Sequence, residues 1–366
     1  MLVERNSYKG QGRSLCDTEI ANCRSMTSRS PHSILFYDSE QRLRWAWRLL
    51  WNAQQRRPRL PIRLIVGFIL IFLFAGIGNS YSPRIASGDG ALISVINSIV
   101  GTVPLTIGIL TGVYLASRWI DRRWITGLGF DTDHVWWREL VVGIALGLGI
   151  TALSVIVALL AGWNTLSSFQ LTNGPLQWLL LAIGAGIFQL LVVVPEEVFV
   201  RGYLITNITE GLDGLSAVPR VVAAGTGVLL TSVLFYYTHT AGRSEVTIWF
   251  GLMAGSLAIV LGIAYILTGN LALPIGLHFG VNFAGVLFGT NQQPASVLRL
   301  AASGPTISNS PLTNEVVIVR IIGGALSVGV FTWWCWSRDG QLRIAPSVTV
   351  PALRWRGRGN EYDSAP

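Results

Sequence analysis

Eight apolar stretches, each about as long as a bilayer is thick, constrain this chain more than any other feature of its sequence. A helix needs about 20 consecutive apolar residues to cross the hydrocarbon core of a membrane. The stretches lie near residues 62–78, 92–116, 140–163, 176–194 with a continuation to about 205, 221–237, 246–268, 271–289 and 316–336. The sequence therefore predicts an all-α fold, a polytopic transmembrane helix bundle of about eight spans.

The balance of charged residues agrees with a lipid environment. Only 13% of the residues are charged and 51% are hydrophobic, whereas a soluble domain carries about 25% charged residues. The net charge is +8, but the arginines cluster beside the apolar stretches, which favours anionic lipid over nucleic acid as the partner. Loops rich in arginine alternate along the chain with loops that contain few arginines. Because arginine-rich loops usually lie in the cytoplasm, this alternation predicts a multi-pass cell-membrane protein with both termini in the cytoplasm.

The chain divides into three parts by composition. Residues 1–60 form a polar, Arg- and Trp-rich cytoplasmic segment, residues 61–337 a transmembrane domain, and residues 338–366 a tail predicted to be disordered and cytoplasmic. Tryptophans Trp45, Trp47 and Trp51 alternate with arginines that include Arg57. This pattern is typical of a juxtamembrane anchor, with rings at headgroup depth and guanidinium groups on lipid phosphates.

Two adjacent carboxylates interrupt the fourth apolar stretch. Glu197 and Arg201 are four residues apart and can pair on one helix face, while Glu196 points about 100° away. Pro195 removes a backbone donor just before them and can leave a carbonyl free. Ionisable groups within a membrane are costly and mark a functional site unless they are merely solvated at a helix end. Both interpretations remain open for this motif taken alone.

Two histidines lie in later apolar stretches. Phe235 and His239 share a helix face at the end of the fifth stretch, where a histidine could simply be interfacial. His278 and Asn282 share a face well inside the seventh stretch, where they should face the bundle interior and could form an interhelical hydrogen bond. Close helix packing is predicted by glycine pairs spaced at i and i+4, which are Gly143/Gly147, Gly251/Gly255 and Gly276/Gly280.

Together these polar groups could polarise a water, move a proton and stabilise an oxyanion. Glu196, His239 and His278 are also a candidate three-ligand zinc site. Their spacing is not that of an HExxH helix, and the three cysteines of the chain are scattered without a CxxC pair. The sequence leaves both options open, and the sparse ligand set favours a glutamate-activated water.

The motifs EExxxR, FxxxH and HxxxN follow one another on successive apolar stretches. This ordered set resembles the CAAX protease and bacteriocin-processing (CPBP, or Abi) family of intramembrane peptidases, which are related to the type II CAAX prenyl endopeptidases. The resemblance covers a peptidase-like core at about residues 140–290. It implies an intramembrane endopeptidase, either a metalloprotease or a glutamate-dependent hydrolase, that cleaves a peptide or membrane-protein substrate at or near the membrane surface.

The resemblance also implies residue roles. Glu196 would activate the hydrolytic water with help from His239, and Glu197 with Arg201 would form a supporting ion pair. His278 and Asn282 would complete the catalytic site, and the resemblance implies that Asn282 is the oxyanion donor.

Two alternatives from other classes remain at the level of sequence. One is a non-catalytic membrane regulator or bacteriocin-immunity-type protein that uses the same bundle. The other is a transporter with an intramembrane proton relay.

Overall fold

A computed structural model describes residue 47 and residues 49–84, 87–88, 90–169, 174–241, 248–289, 295–302 and 315–354. It divides the chain into two units, Met1–Arg56 and Arg57–Pro366. In chain order the elements are β1 (Trp51–Asn52), β2 (Arg57–Pro58), α1 (Leu60–Ser80), α2 (Ala91–Leu115) with a π-helical end (Ala116–Ile120), a 3₁₀ turn (Ile125–Leu128), α3 (His134–Leu160), β3 (Asn164–Phe169), α4 (Pro175–Glu197), a second π-helical segment (Val198–Ile205), α5 (Thr206–Asp213), α6 (Arg220–Thr240), α7 (Ile248–Thr268), α8 (Ala272–Leu287), β4 (Leu298–Ala302), α9 (Glu315–Asp339) and α10 (Pro346–Thr349).

The helices confirm a polytopic bundle. Within the described residues, seven helical segments are long and apolar enough to cross a membrane. The seventh predicted span corresponds to α8, which has only 16 residues and is shorter than a full crossing. The only longer strands of the described chain, β3 and β4, pair antiparallel in a small sheet that the sequence did not predict. The chain is therefore a multi-pass membrane protein of mostly helical structure.

The N-terminal unit is described only in part. Trp47 and Trp51 stack with ring centroids 5.8 Å apart, and Trp47 is exposed. Trp45 lies outside the described residues, and the juxtamembrane anchor stays a prediction.

Helices α3 and α8 pack so closely that glycine is required on both. A Cβ on Gly276 would collide with the carbonyl oxygen of Leu140, and a Cβ on Gly147 would collide with that of Leu277. Because the glycines of one helix face the backbone of the other, the two axes approach without intervening side chains. This contact fixes α8, and therefore His278, against the centre of the bundle.

The fourth span runs without a break from Pro175 to Asp213, although Pro195 lies inside it. Proline at this position removes the donor that would reach the carbonyl four residues earlier, at Leu191. The hydroxyl of Thr106, on α2, donates to that carbonyl at 2.7 Å. The Leu191 carbonyl, which the sequence predicted to lack a backbone donor, therefore accepts a hydrogen bond from a neighbouring helix. After Glu197 the chain continues as the π-helical segment.

A buried ionic cluster joins several elements at one end of the bundle. Glu210, on α5, accepts from Arg57 at 3.1 Å, Arg63 at 3.3 Å and Arg123 at 2.5 Å. Arg57 therefore contacts a protein carboxylate instead of the lipid phosphates that its sequence context predicted, because the fold brings Glu210 to it. Burial lowers the pKa of Arg57 to about 10, while the charge of Glu210 acts in the opposite direction.

Part of the C-terminal tail is ordered, which corrects the prediction of a disordered segment from residue 338. Helix α9 continues to Asp339, and Ala345 donates its N–H to the carbonyl of Ile266 at 2.9 Å. Val348 and Leu353 are completely buried. Apolar side chains in an otherwise polar segment fill the space beside the end of α7, which a composition argument could not detect. Residues 355–366 lie outside the described part.

Candidate active site

Glu197 is the structural centre of the polar cluster. Its Oε1 accepts from Arg201 Nη1 at 2.8 Å and from His278 Nδ1 at 2.7 Å, and all three side chains are buried. An ionised carboxylate only accepts hydrogen bonds, so Nδ1 of His278 carries the proton in this pair. The i,i+4 ion pair predicted on the fourth span is present, and it also binds a histidine from α8.

Arg201 is held on two further sides. Its Nη2 donates to the carbonyl of Ala258 on α7 at 3.4 Å, and its guanidinium lies over the ring of Phe235, 5.1 Å from the ring centroid. A cation over an aromatic face is attracted by the ring quadrupole. The arginine therefore connects α6 and α7 to the segment that carries the two glutamates.

Glu196 differs from its neighbour in exposure. Its side chain is 31% exposed, whereas that of Glu197 is fully buried. The Oε2 of Glu196 lies 3.9 Å from Nε2 of His278, beyond the range of a direct hydrogen bond. Glu196 also interacts electrostatically with His239. The carboxylate thus faces both histidines and remains accessible from outside the protein.

His239 occupies the last turn of α6. Its Nδ1 is 2.8 Å from the carbonyl oxygen of Phe235, so Nδ1 must donate, and the two rings stack with centroids 4.1 Å apart. Phe235 also contacts His278 edge-on at 6.0 Å. In the neutral state both histidines are protonated on Nδ1, which leaves each Nε2 as an acceptor or base.

Asn282 lies one helical turn beyond His278 on α8 and is half-buried. Among the described residues it has no hydrogen-bond partner. The structure therefore brings together Glu196, Glu197, Arg201, His239 and His278. Asn282 lies one helical turn from His278, and its amide is unengaged among the described residues.

The candidate zinc ligands do not fit a metal site as they are arranged. In the described parts of the chain, no group of three His, Cys, Asp or Glu side chains could hold a metal ion. Two zinc ligands at about 2.0–2.2 Å from a tetrahedral centre would be roughly 3.3–3.6 Å apart, whereas Glu196 and His278 are 3.9 Å apart.

Several contributors to this site carry no signal in the sequence. The Ala258 carbonyl and the ring of Phe250, whose centroid is 6.3 Å from that of His239, both come from α7, an ordinary apolar stretch. Backbone groups and packing rings become recognisable only when the helices are assembled.

The fold and the cluster define a polytopic membrane protein with a glutamate–histidine cluster that comes from three helical segments. Residues 108–284 match the family described as Type II CAAX prenyl endopeptidase Rce1-like, and the match contains all six predicted site residues. This match supports the resemblance to the CAAX protease family that the motifs predicted. The matched family supports a protease role in the membrane. No curated protein and no solved structure matches the chain.

Proposed function

We propose that this protein is an intramembrane endopeptidase in which Glu196 activates the hydrolytic water. The observation that carries the proposal is the 3.9 Å gap between the Glu196 carboxylate and Nε2 of His278. Both groups are acceptors when Glu196 is ionised and His278 is neutral, so they cannot bond to each other. A water between them can donate one hydrogen to each and keep its lone pairs for a substrate carbonyl.

The reaction follows from this placement. The water oxygen bonds to the carbonyl carbon while its proton passes to Glu196, giving a tetrahedral intermediate with a negative oxygen. The free amide of Asn282 is the proposed donor to that oxygen. Glu196 then returns the proton to the leaving nitrogen as the carbon–nitrogen bond breaks. No net proton is gained or lost by the protein, and none of these steps requires a metal.

Glu197 and Arg201 are positioning residues in this scheme. Glu197 holds Nδ1 of His278 and thereby fixes the tautomer that presents an unprotonated Nε2 to the water. Arg201 pairs with Glu197 and orients it, and Phe235 contacts both Arg201 and His239. His239 supplies a second Nε2 that can share the water or its proton.

The substrate proposed for the site is a peptide or a membrane protein cleaved at or near the membrane surface. Bonds in this position are protected from soluble proteases, so a membrane-embedded site with a partly exposed glutamate suits them. A regulator that retains the same cluster for structural reasons would have no need of that accessibility.

The test compares membrane-protein fragments in cells that express the wild-type protein with those that express Glu196→Ala. We expect a defined set of fragments that depends on Glu196, and the same fragments from the purified protein in proteoliposomes. Identical fragment patterns in the two strains, together with an unchanged abundance of the protein, would favour the regulator over the protease.

A further inference from the structure

An arginine that has no role in the proposed reaction lies in an apolar cavity. The cavity has a volume of about 280 Å³ and is lined by side chains of α3, α7, α8 and α9. Arg320, on α9, is the only charged residue among those that line it. A charged side chain within a membrane-spanning helix is energetically costly, so it is normally paired with an opposite charge.

The contacts of Arg320 do not supply such a charge. Its Nη1 lies 3.2 Å from the sulfur of Met253, a weak acceptor, and its Nε is buried without a partner. No carboxylate of the described residues forms an ion pair with it, in contrast to Arg201 and Arg338. The guanidinium therefore has donors to spare for an anion.

The mouth of the cavity faces lipid. Ile259 on α7 and Ile321 and Ala325 on α9 line it and are exposed. Exposed aliphatic side chains on membrane-spanning helices contact acyl chains, so an occupant enters from the bilayer. Arg320 is about 8 Å from the start of α9 at 1.5 Å per residue. The Cα–Cβ bonds of a helix tilt toward its N-terminus, so a long side chain at this position can extend toward that end and the lipid headgroups.

We propose that this cavity binds one anionic phospholipid, with an acyl chain between α7 and α9 and the phosphate on Arg320. The volume is near the lower limit of ligand cavities, about 300 Å³, which leaves room for part of one chain while the other remains in the bilayer. The lipid would contact α7, the helix that also supplies the Ala258 carbonyl to Arg201. Helix α7 would therefore contact both the bound lipid and the candidate active site.

The test uses native mass spectrometry of the purified full-length protein with dioleoyl phosphatidylglycerol or dioleoyl phosphatidylcholine. We expect one phosphatidylglycerol retained per wild-type protein and retention at least roughly tenfold weaker for Arg320→Gln, because a charge-assisted hydrogen bond is lost. Arg84→Gln is the matched control, since it removes an exposed arginine of the same sign elsewhere. Equal retention by wild type and Arg320→Gln would overturn the proposal, as would equal retention of phosphatidylcholine.

Two further measurements test the position and the chemical class of the occupant. Ala325→Phe keeps the arginine but fills the mouth of the cavity, and we expect it to lose phosphatidylglycerol as well. Retention by this variant would place the lipid elsewhere and contradict the assigned cavity. Oleate tests a fatty acid as the occupant: displacement of phosphatidylglycerol by equimolar oleate would overturn the phospholipid assignment. Because the readout is binding, it is independent of whether the protein is a protease.

Discussion

His278 donates through Nδ1 to the same oxygen of Glu197 that accepts from Arg201, so one buried carboxylate oxygen organises a histidine from a different helix and an arginine from its own segment. The geometry leaves Nε2 of His278 directed at Glu196. The two adjacent glutamates thus have separate environments, one fully buried and paired, the other partly exposed.

Glu196→Gln is expected to lower the cleavage rate by about 10²–10⁴-fold while the fold is kept. The amide has the volume of the carboxylate but cannot take a proton from water. Within the described part of the chain, Glu196 also has no direct hydrogen bond to lose. Cleavage of a fluorogenic peptide in proteoliposomes measures the effect. Asp213→Asn, which neutralises a carboxylate in a surface pair with Arg220, is the control and should keep its activity. A near-normal rate in Glu196→Gln would exclude this residue as the base.

Arg201→Ala is expected to reduce stability by about 3–5 kcal/mol and activity with it, because Glu197 is left as an uncompensated buried charge. Thermal unfolding in detergent measures the loss. Adding Glu197→Gln to this variant should restore part of the stability, since the unpaired charge is then gone. Lost activity with unchanged thermal stability would instead indicate that Arg201 contacts the substrate.

Gly276→Ala is expected to reduce both stability and activity, because the added methyl group meets the Leu140 carbonyl and pushes α8, with His278, away from α3. Gly149→Ala is the matched control on α3, where a Cβ meets no atom within 4 Å. That variant should be neutral or slightly more stable, by about 1 kcal/mol at most. The same unfolding and cleavage assays apply, and similar behaviour of the two variants would contradict the close α3–α8 contact.

Glu210→Gln is expected to destabilise the protein by about 3–5 kcal/mol, because three buried guanidinium groups lose their shared carboxylate. Asp213→Asn on the same helix should cost about 0–1 kcal/mol, as is usual for surface ion pairs. Chemical or thermal unfolding of the two variants side by side measures the difference. Comparable losses would show that the buried cluster carries little net stability.

Removal of metal is expected to leave the activity unchanged, since the proposed water is bound by a carboxylate and an imidazole. Dialysis against a chelator, followed by the cleavage assay and elemental analysis, provides the measurement. Stoichiometric zinc in the purified protein, with activity lost on chelation and regained with zinc, would replace this mechanism by a metal-dependent one. Calcium and magnesium additions after chelation control for nonspecific effects of divalent ions.

The sequence by itself determined the class of fold, because segments of about 20 apolar residues have few stable arrangements other than membrane-spanning helices. It also identified the motif residues, since an ionisable group in an apolar stretch is costly wherever the stretch lies. The glycine spacing on α3 and α8 predicted close packing, which the facing backbones confirm.

Only the tertiary structure decided which groups meet. The pairing of Glu197 with His278 joins positions 81 residues apart, and the satisfaction of the Leu191 carbonyl by Thr106 depends on the approach of α2 to α4. Arg57 and the segment around Val348 look like solvated or interfacial chain in the sequence, yet both are buried. Burial and the choice of hydrogen-bond or ion-pair partner depend on how elements distant in the sequence are placed relative to one another. Local composition does not contain that information.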